Sequence, residues 1–135
     1  MICFDTNFLI RALIPNTDKA VLIPKWIREN EIIILPAVAW YEFLCGSKST
    51  KEEILAANLV SHRIIEFQKD TALAAAHLFN VAGRKRAHRV DAMIAGTAIA
   101  SNAILATSNR DDFLPFVEHG LNLALNTRQL IIFAV

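Results

Sequence analysis

At 135 residues, 54% hydrophobic and 20% charged, the chain can bury a core of its own, which excludes a disordered or low-complexity segment and predicts one domain over residues 1–135. Its 14 basic and 13 acidic side chains leave a formal net charge of +1, so no global field marks a nucleic-acid binder and any such role must rest on local charge. Two cysteines without a C-x-x-C spacing exclude a disulfide framework, and both Cys3 and Cys45 are expected as reduced core residues.

The first ten residues carry the strongest signal. An apolar run, Ile2-Cys3-Phe4, ends in Asp5-Thr6-Asn7, and a second run, Phe8-Leu9-Ile10, begins. This predicts a strand handing over to a helix, with Thr6 or Asn7 able to cap it and Asp5 at the junction. Carboxyl ends of strands are where ligands collect in open α/β sheets, although a capping role alone would also account for Asp5.

Asn16-Thr17-Asp18 can start a helix carrying Trp26 and Ile27 to Asn30, with Pro24 forcing a kink or a late start. Ile32 to Leu35 reads as a short buried strand punctuated by Pro36. Ala37 to Leu44 then reads as a short helix stopped by Gly46, with Glu42 its only charged side chain. A solvent-facing Glu and a functional one are both open there. Trp40-Tyr41 and Phe43-Leu44 suit core packing or a partner-binding stripe.

Helical compositions follow at Lys51 to Val60 and Thr71 to Ala82, with Arg63-Ile64-Ile65 as a short strand between them. Arg84-Lys85-Arg86, His88 and Arg89 crowd into the next turn, and Arg110 stands further on. Beside an acidic pocket such a cluster would let phosphates approach, whereas an ordinary solvated loop explains the same charges. Arg89 to Ala100 is a small-residue helix with Asp91 near its positive N-terminal end. Ala103 to Ala106 is strand-like and leads into Thr107-Ser108-Asn109-Arg110-Asp111-Asp112-Phe113. The longest charge-free stretch, residues 92–109, is broken by Gly96, Thr97, Ser101, Asn102, Thr107 and Ser108, so it reads as helix, turn and strand and not as a membrane span. Asn122-Leu123-Ala124-Leu125 suits a last edge strand, and the apolar ending from Leu130 to Val135 fits either a packed strand or a partner contact. His62, His77, His88 and His119 are scattered without a visible catalytic role. No signal sequence is apparent at the N-terminus, so a cytoplasmic protein is expected.

Acids at separate strand ends converge only if a parallel sheet gathers them along one edge. Converged, they make an all-oxygen site suited to Mg²⁺ or Mn²⁺ and not to zinc.

These pieces together resemble a PIN domain, and among PIN domains the VapC-type toxins of toxin–antitoxin pairs. The resemblance rests on Asp5-Thr6-Asn7, on Glu42 followed by Gly46, on Asp91-Ala92-Met93-Ile94-Ala95 and on a closing Thr-x-Asn-x-x-Asp-Phe, in order from Asp5 to Phe113. It implies a three-layer sandwich with a central parallel sheet flanked by helices. It also implies a metal-dependent endoribonuclease, usually dimeric, that leaves a 5′-phosphate and a 3′-hydroxyl and is paired with an antitoxin protein. By position, Asp5, Glu42 and Asp91 match the acidic triad. Spacing points to Asp112 as the fourth acid, with Asp111 adjacent to it.

On that reading Asp5 and Asp91 would hold Mg²⁺ directly, while Glu42 and Asp112 would bind it through water or help hold a second ion. Asn7 would orient Asp5, and Thr107 or Ser108 would hydrogen-bond a ligating water or the phosphate. Arg84, Lys85, Arg86, Arg89 and Arg110 would contact RNA. A non-toxin RNA-processing nuclease of the same type and a non-catalytic PIN-like binding module are the alternatives. A haloacid-dehalogenase-type phosphotransferase fits poorly, because Asn7 stands where its second Asp belongs.

Overall fold

The structure is a computed structural model that describes residues 1–46 and 49–124. Four parallel strands form its sheet in the order β3-β2-β1-β4. They are β1 (Ile2–Phe4), β2 (Ile33–Pro36), β3 (Ile64–Ile65) and β4 (Ile104–Ala106). Seven α-helices flank the sheet among the described residues: α1 (Thr6–Ala12), α2 (Asp18–Arg28), α3 (Ala37–Leu44), α4 (Thr50–Leu59), α5 (Lys69–Val81), α6 (Arg89–Ala100) and α7 (Arg110–Val117). A 3₁₀ turn, Arg86–His88, leads into α6. The α/β sandwich expected from the sequence is therefore the fold observed.

Every residue of β1 and β2 is buried, so these strands are continuous apolar runs without alternation, as strands covered on both faces must be. Register sets Ile2 against Ile33 on one side and Ile104 on the other, with Phe4 opposite Ala106. From central β1 the chain builds outward through β2 to β3 and then returns to the far side of β1 as β4. The order thus reverses between β1 and β4, and the crevice at their carboxyl ends is the favoured ligand position of such sheets.

Several boundaries differ from expectation for local reasons. Helix α2 starts at Asp18, capped by the Thr17 side chain, and runs through Pro24, which is exposed. Ile32 falls outside β2 and Pro36 within it. Cys3 is buried, but Cys45 is exposed at the end of α3 and is not a core residue. The expected last strand is reduced to a parallel bridge between Leu105 and Leu123. Leu125 and the apolar ending through Val135 lie outside the described residues. No described helix is long and apolar enough to cross a membrane.

Two packing features fix the elements that carry the acids. Phe4, Phe8 and Trp26 stack as one aromatic group, with ring centroids 4.7–6.0 Å apart, and seat α1 and α2 beside β1. On the other side α6 lies against α5 so closely that a Cβ on Gly96 would sit 2.9 Å from the Ala75 backbone nitrogen. Small residues thereby let α6, with Asp91 in its first turn, approach both α5 and the sheet.

Candidate active site

At the carboxyl end of β1 the chain leaves the sheet at Asp5, which is 3% exposed. Its Oδ1 accepts the Phe8 backbone N–H at 2.7 Å, so Asp5 itself, and neither Thr6 nor Asn7, caps α1. Its Oδ2 accepts the Thr107 hydroxyl from the carboxyl end of β4. The Asn109 N–H in turn donates to the Thr107 oxygen at 2.9 Å. The capping role that would explain Asp5 by itself is real, yet it occupies only one of two buried carboxylate oxygens.

Beside Asp5 lies a cleft of about 110 Å³. Asp5, Glu42 and Asp91 contribute carboxylates to its wall, together with the neutral polar groups of Thr6, Asn7 and Asn109, while Ile94 and Phe113 close its apolar side. Glu42 reaches it from α3, which buries Ala39 and Phe43, and its Oε1 accepts the Thr6 hydroxyl at 2.6 Å. Three acids separated by up to 86 positions in sequence thus share one cavity.

Asp112 does not line that cleft. It lines a wider one of about 390 Å³ with Ser108, Asn109, Arg110 and Asp111, and Asn109 borders both. Its charge nevertheless raises the pKa of both Asp5 and Asp91, which favours Asp112 over Asp111 as the α7 acid coupled to the site.

The electrostatics are those of crowded, partly desolvated carboxylates. Burial pushes Asp5 above the ordinary range of an aspartate, with the charges of Glu42 and Asp112 adding to the rise; the bonds from Thr107 and Phe8 oppose it. Burial is also the largest cause at Asp91, which is pushed up to about 6, with Asp112, Glu42 and Asp5 raising it further and His88 pulling the other way. A cation in the cleft would relieve every one of these repulsions. As they stand, no three Asp, Glu, His or Cys side chains among the described residues close to the spacing of a ready-made metal cage. The donors match a hydrated hard cation such as Mg²⁺, which characteristically keeps several waters and takes one or two carboxylates directly.

The remaining expectations meet the structure unevenly. Asn7 lines the cleft, but the bonds that orient Asp5 come from Phe8 and Thr107. The Thr107 hydroxyl donates to Asp5 and accepts from the Asn109 N–H. Ser108 Oγ is buried without a hydrogen-bond partner among the described residues. None of the five basic residues lines the acidic cleft. Arg84, Lys85 and Arg86 are exposed on the connection from α5 to α6. Arg89 lies over the Phe79 ring, 5.7 Å from its centre, and Arg110 Nη1 donates to the Ala124 carbonyl.

Thr6 is the residue that sequence reasoning missed. It figured there only as a cap, and the signal available, a hydroxyl next to Asp5, carries no hint of a partner 36 positions away.

The sequence profile of the PIN domain matches residues 2–116, and the chain belongs to the PIN-domain family. Solved structures share its fold. FitAcB from Neisseria gonorrhoeae superimposes with a TM-score of 0.73 at 22% identity, covering 95% of this chain and 99% of that one. A toxin–antitoxin complex from Klebsiella pneumoniae gives a TM-score of 0.68 at 25% identity, with 84% and 91% covered. VapBC2 from Rickettsia felis, bound to a promoter DNA fragment, gives 0.68 at 22%, with 92% and 98% covered. Among curated proteins, no significant match is found.

Proposed function

We propose that this PIN-domain protein is a metal-dependent endoribonuclease, the toxin component of a type II toxin–antitoxin pair, acting on RNA in the cytoplasm as a homodimer. The observation that carries the reading is the buried, hydrogen-bonded Asp5 facing Glu42 and Asp91 across one cleft at the point where the strand order reverses. The toxin role and the antitoxin partner are supported by the likeness to complexes of that kind.

Asp5 and Asp91 would hold Mg²⁺, for which Mn²⁺ can substitute, and Glu42 and Asp112 would reach it through water. When bound, such an ion supplies an activated water and offsets phosphoryl charge, so no nucleophilic side chain is required. The protein's own contribution is positioning. Asp5 is fixed by two hydrogen bonds, and Asp91 holds its proton to about pH 6 until a cation or higher pH removes it. Ile94 and Phe113 limit water on one side. Arg84, Lys85 and Arg86, exposed on the approach to α6, would meet the phosphates of a strand passing outside the cleft.

The test is cleavage of total RNA by the purified protein with and without Mg²⁺, beside Asp5→Asn and Asp91→Asn. Metal-dependent cleavage giving 5′-phosphate ends and lost in both variants is expected. Cleavage that survives either substitution would overturn the assignment.

A further inference from the structure

We infer that Thr6 is a positioning residue for Glu42, holding its carboxylate in the orientation that serves a divalent cation in the cleft; this rests on the metal-dependent reading above. The Thr6 hydroxyl has no helix start to secure, because Asp5 already caps α1. Its proton goes instead to Glu42 Oε1 at 2.6 Å, across from α1 to α3. An ionised carboxylate only accepts hydrogen bonds, so the donor in this pair is fixed as Thr6. One acceptor site is used, and the second oxygen keeps its lone pairs for water or a cation.

Glu42 is the acid that most needs such a tether. Asp5 is short and pinned on both oxygens, and Asp91 is short and rides on a helix locked by the approach at Gly96. Glu42 is one methylene longer, and an untethered glutamate samples several rotamers. Threonine is branched at Cβ and stiff about χ1, so its hydroxyl is a preorganised donor. An isosteric loss of that hydroxyl leaves α1 intact and releases the carboxylate.

The experiment measures Mn²⁺ affinity by titration calorimetry, with RNA cleavage alongside, for wild type, Thr6→Val, Thr6→Ala, Thr6→Ser and Glu42→Ala. Thr6→Val and Thr6→Ala are expected to weaken Mn²⁺ binding by about tenfold or more, the range found when a group that orients a ligand is lost. Thr6→Ser, which keeps the hydroxyl, is expected to stay near wild type. In the Glu42→Ala background, Thr6→Val should cause no further loss. Melting in EDTA separates a folding defect from a loss of binding, and Thr6→Ala serves if the valine methyl disturbs α1. Wild-type Mn²⁺ affinity in a folded Thr6→Val protein overturns the inference, as does an equal loss with and without Glu42. Absence of Mn²⁺ binding by wild type removes the metal reading itself, whereas binding that ignores Thr6 removes the tether alone.

Discussion

The acidic edge of the sheet and the basic connection before α6 are both charge-rich, and the fold treats them in opposite ways. Asp5, Glu42 and Asp91 are far apart in sequence but share one small cleft, because Asp5 ends β1, Glu42 stands on α3, which directly follows β2, and Asp91 lies in the first turn of α6. Arg84, Lys85, Arg86 and Arg89 are neighbours in sequence, yet none lines that cleft, and Arg89 turns to the face of Phe79. Parallel topology concentrates what stands at strand ends, whereas proximity along an exposed connection concentrates nothing. A function that depends on the acids should therefore be sensitive to single substitutions, and one that depends on the basic residues should respond to their sum.

The largest effect is expected at the acids. Asp5→Asn keeps an acceptor oxygen for the Phe8 N–H but puts an amide donor where the oxygen facing Thr107 stood and removes the charge, and should lower Mg²⁺-dependent cleavage by about a hundredfold or more, beyond the loss typical of a residue that only orients a ligand. A folded variant that cleaves at a rate near wild type would dissolve the distinction between the two regions.

Next in size is the placement of Asp91. Gly96→Ala must push Ala75 away, since the new Cβ would lie 2.9 Å from its backbone nitrogen, and overpacking of this kind destabilises by about 1–3 kcal/mol. A lower melting temperature is expected. An unchanged one would mean that α5 and α6 yield easily and that the helix does not fix Asp91.

The position of Asp91 near the start of a small-residue helix was legible in sequence, as were Asp5 at a strand end and Glu42 as the only charge of a short helix. At Asp5 the junction itself is written as an apolar run, a polar stretch and a second apolar run. The bond from Thr6 to Glu42 was not, because it depends on how α1 crosses α3, and neither was the commitment of Thr107 to Asp5, which joins two strands through their register. The engagement of Arg110 with Ala124 is equally tertiary. Of the two outcomes expected at Pro24, the late start does not occur: α2 begins at Asp18, capped by Thr17, and runs on through the proline, packed through Leu22, Ile23 and Trp26.

A smaller effect concerns pH. In the absence of metal, Asp91 has a folded value of about 6 against an ordinary value of 3.8. The folded chain therefore holds more protons than the unfolded one between those values, and stability should fall as the pH rises through that window. Asp91→Asn should flatten this part of the profile, measured by melting in EDTA from pH 4 to 7. A wild-type curve that rises steadily to pH 7 and matches the variant would contradict the crowding of charge described here.

The basic connection should give the smallest response. Replacing Arg84, Lys85 and Arg86 together with Ala should weaken RNA binding and reduce the slope of log affinity against log salt by about 2, if all three meet a single strand. An unchanged slope would return these residues to an ordinary solvated surface and make the contrast with the acids complete.

The central claim, that the acids form a cation site, is tested most directly by the effect of Mg²⁺ on the melting temperature of wild type and Asp91→Asn. In EDTA the variant should melt higher, because one of the mutually repelling charges is gone, although the loss of a favourable helix-dipole interaction of about 0.3–1 kcal/mol works against that gain. Added Mg²⁺ should raise wild type more than the variant, since an ion stabilises only the folded protein that binds it. An equal rise in both proteins would contradict the account, and Asp91 would then be a charge near a helix start with no part in holding metal.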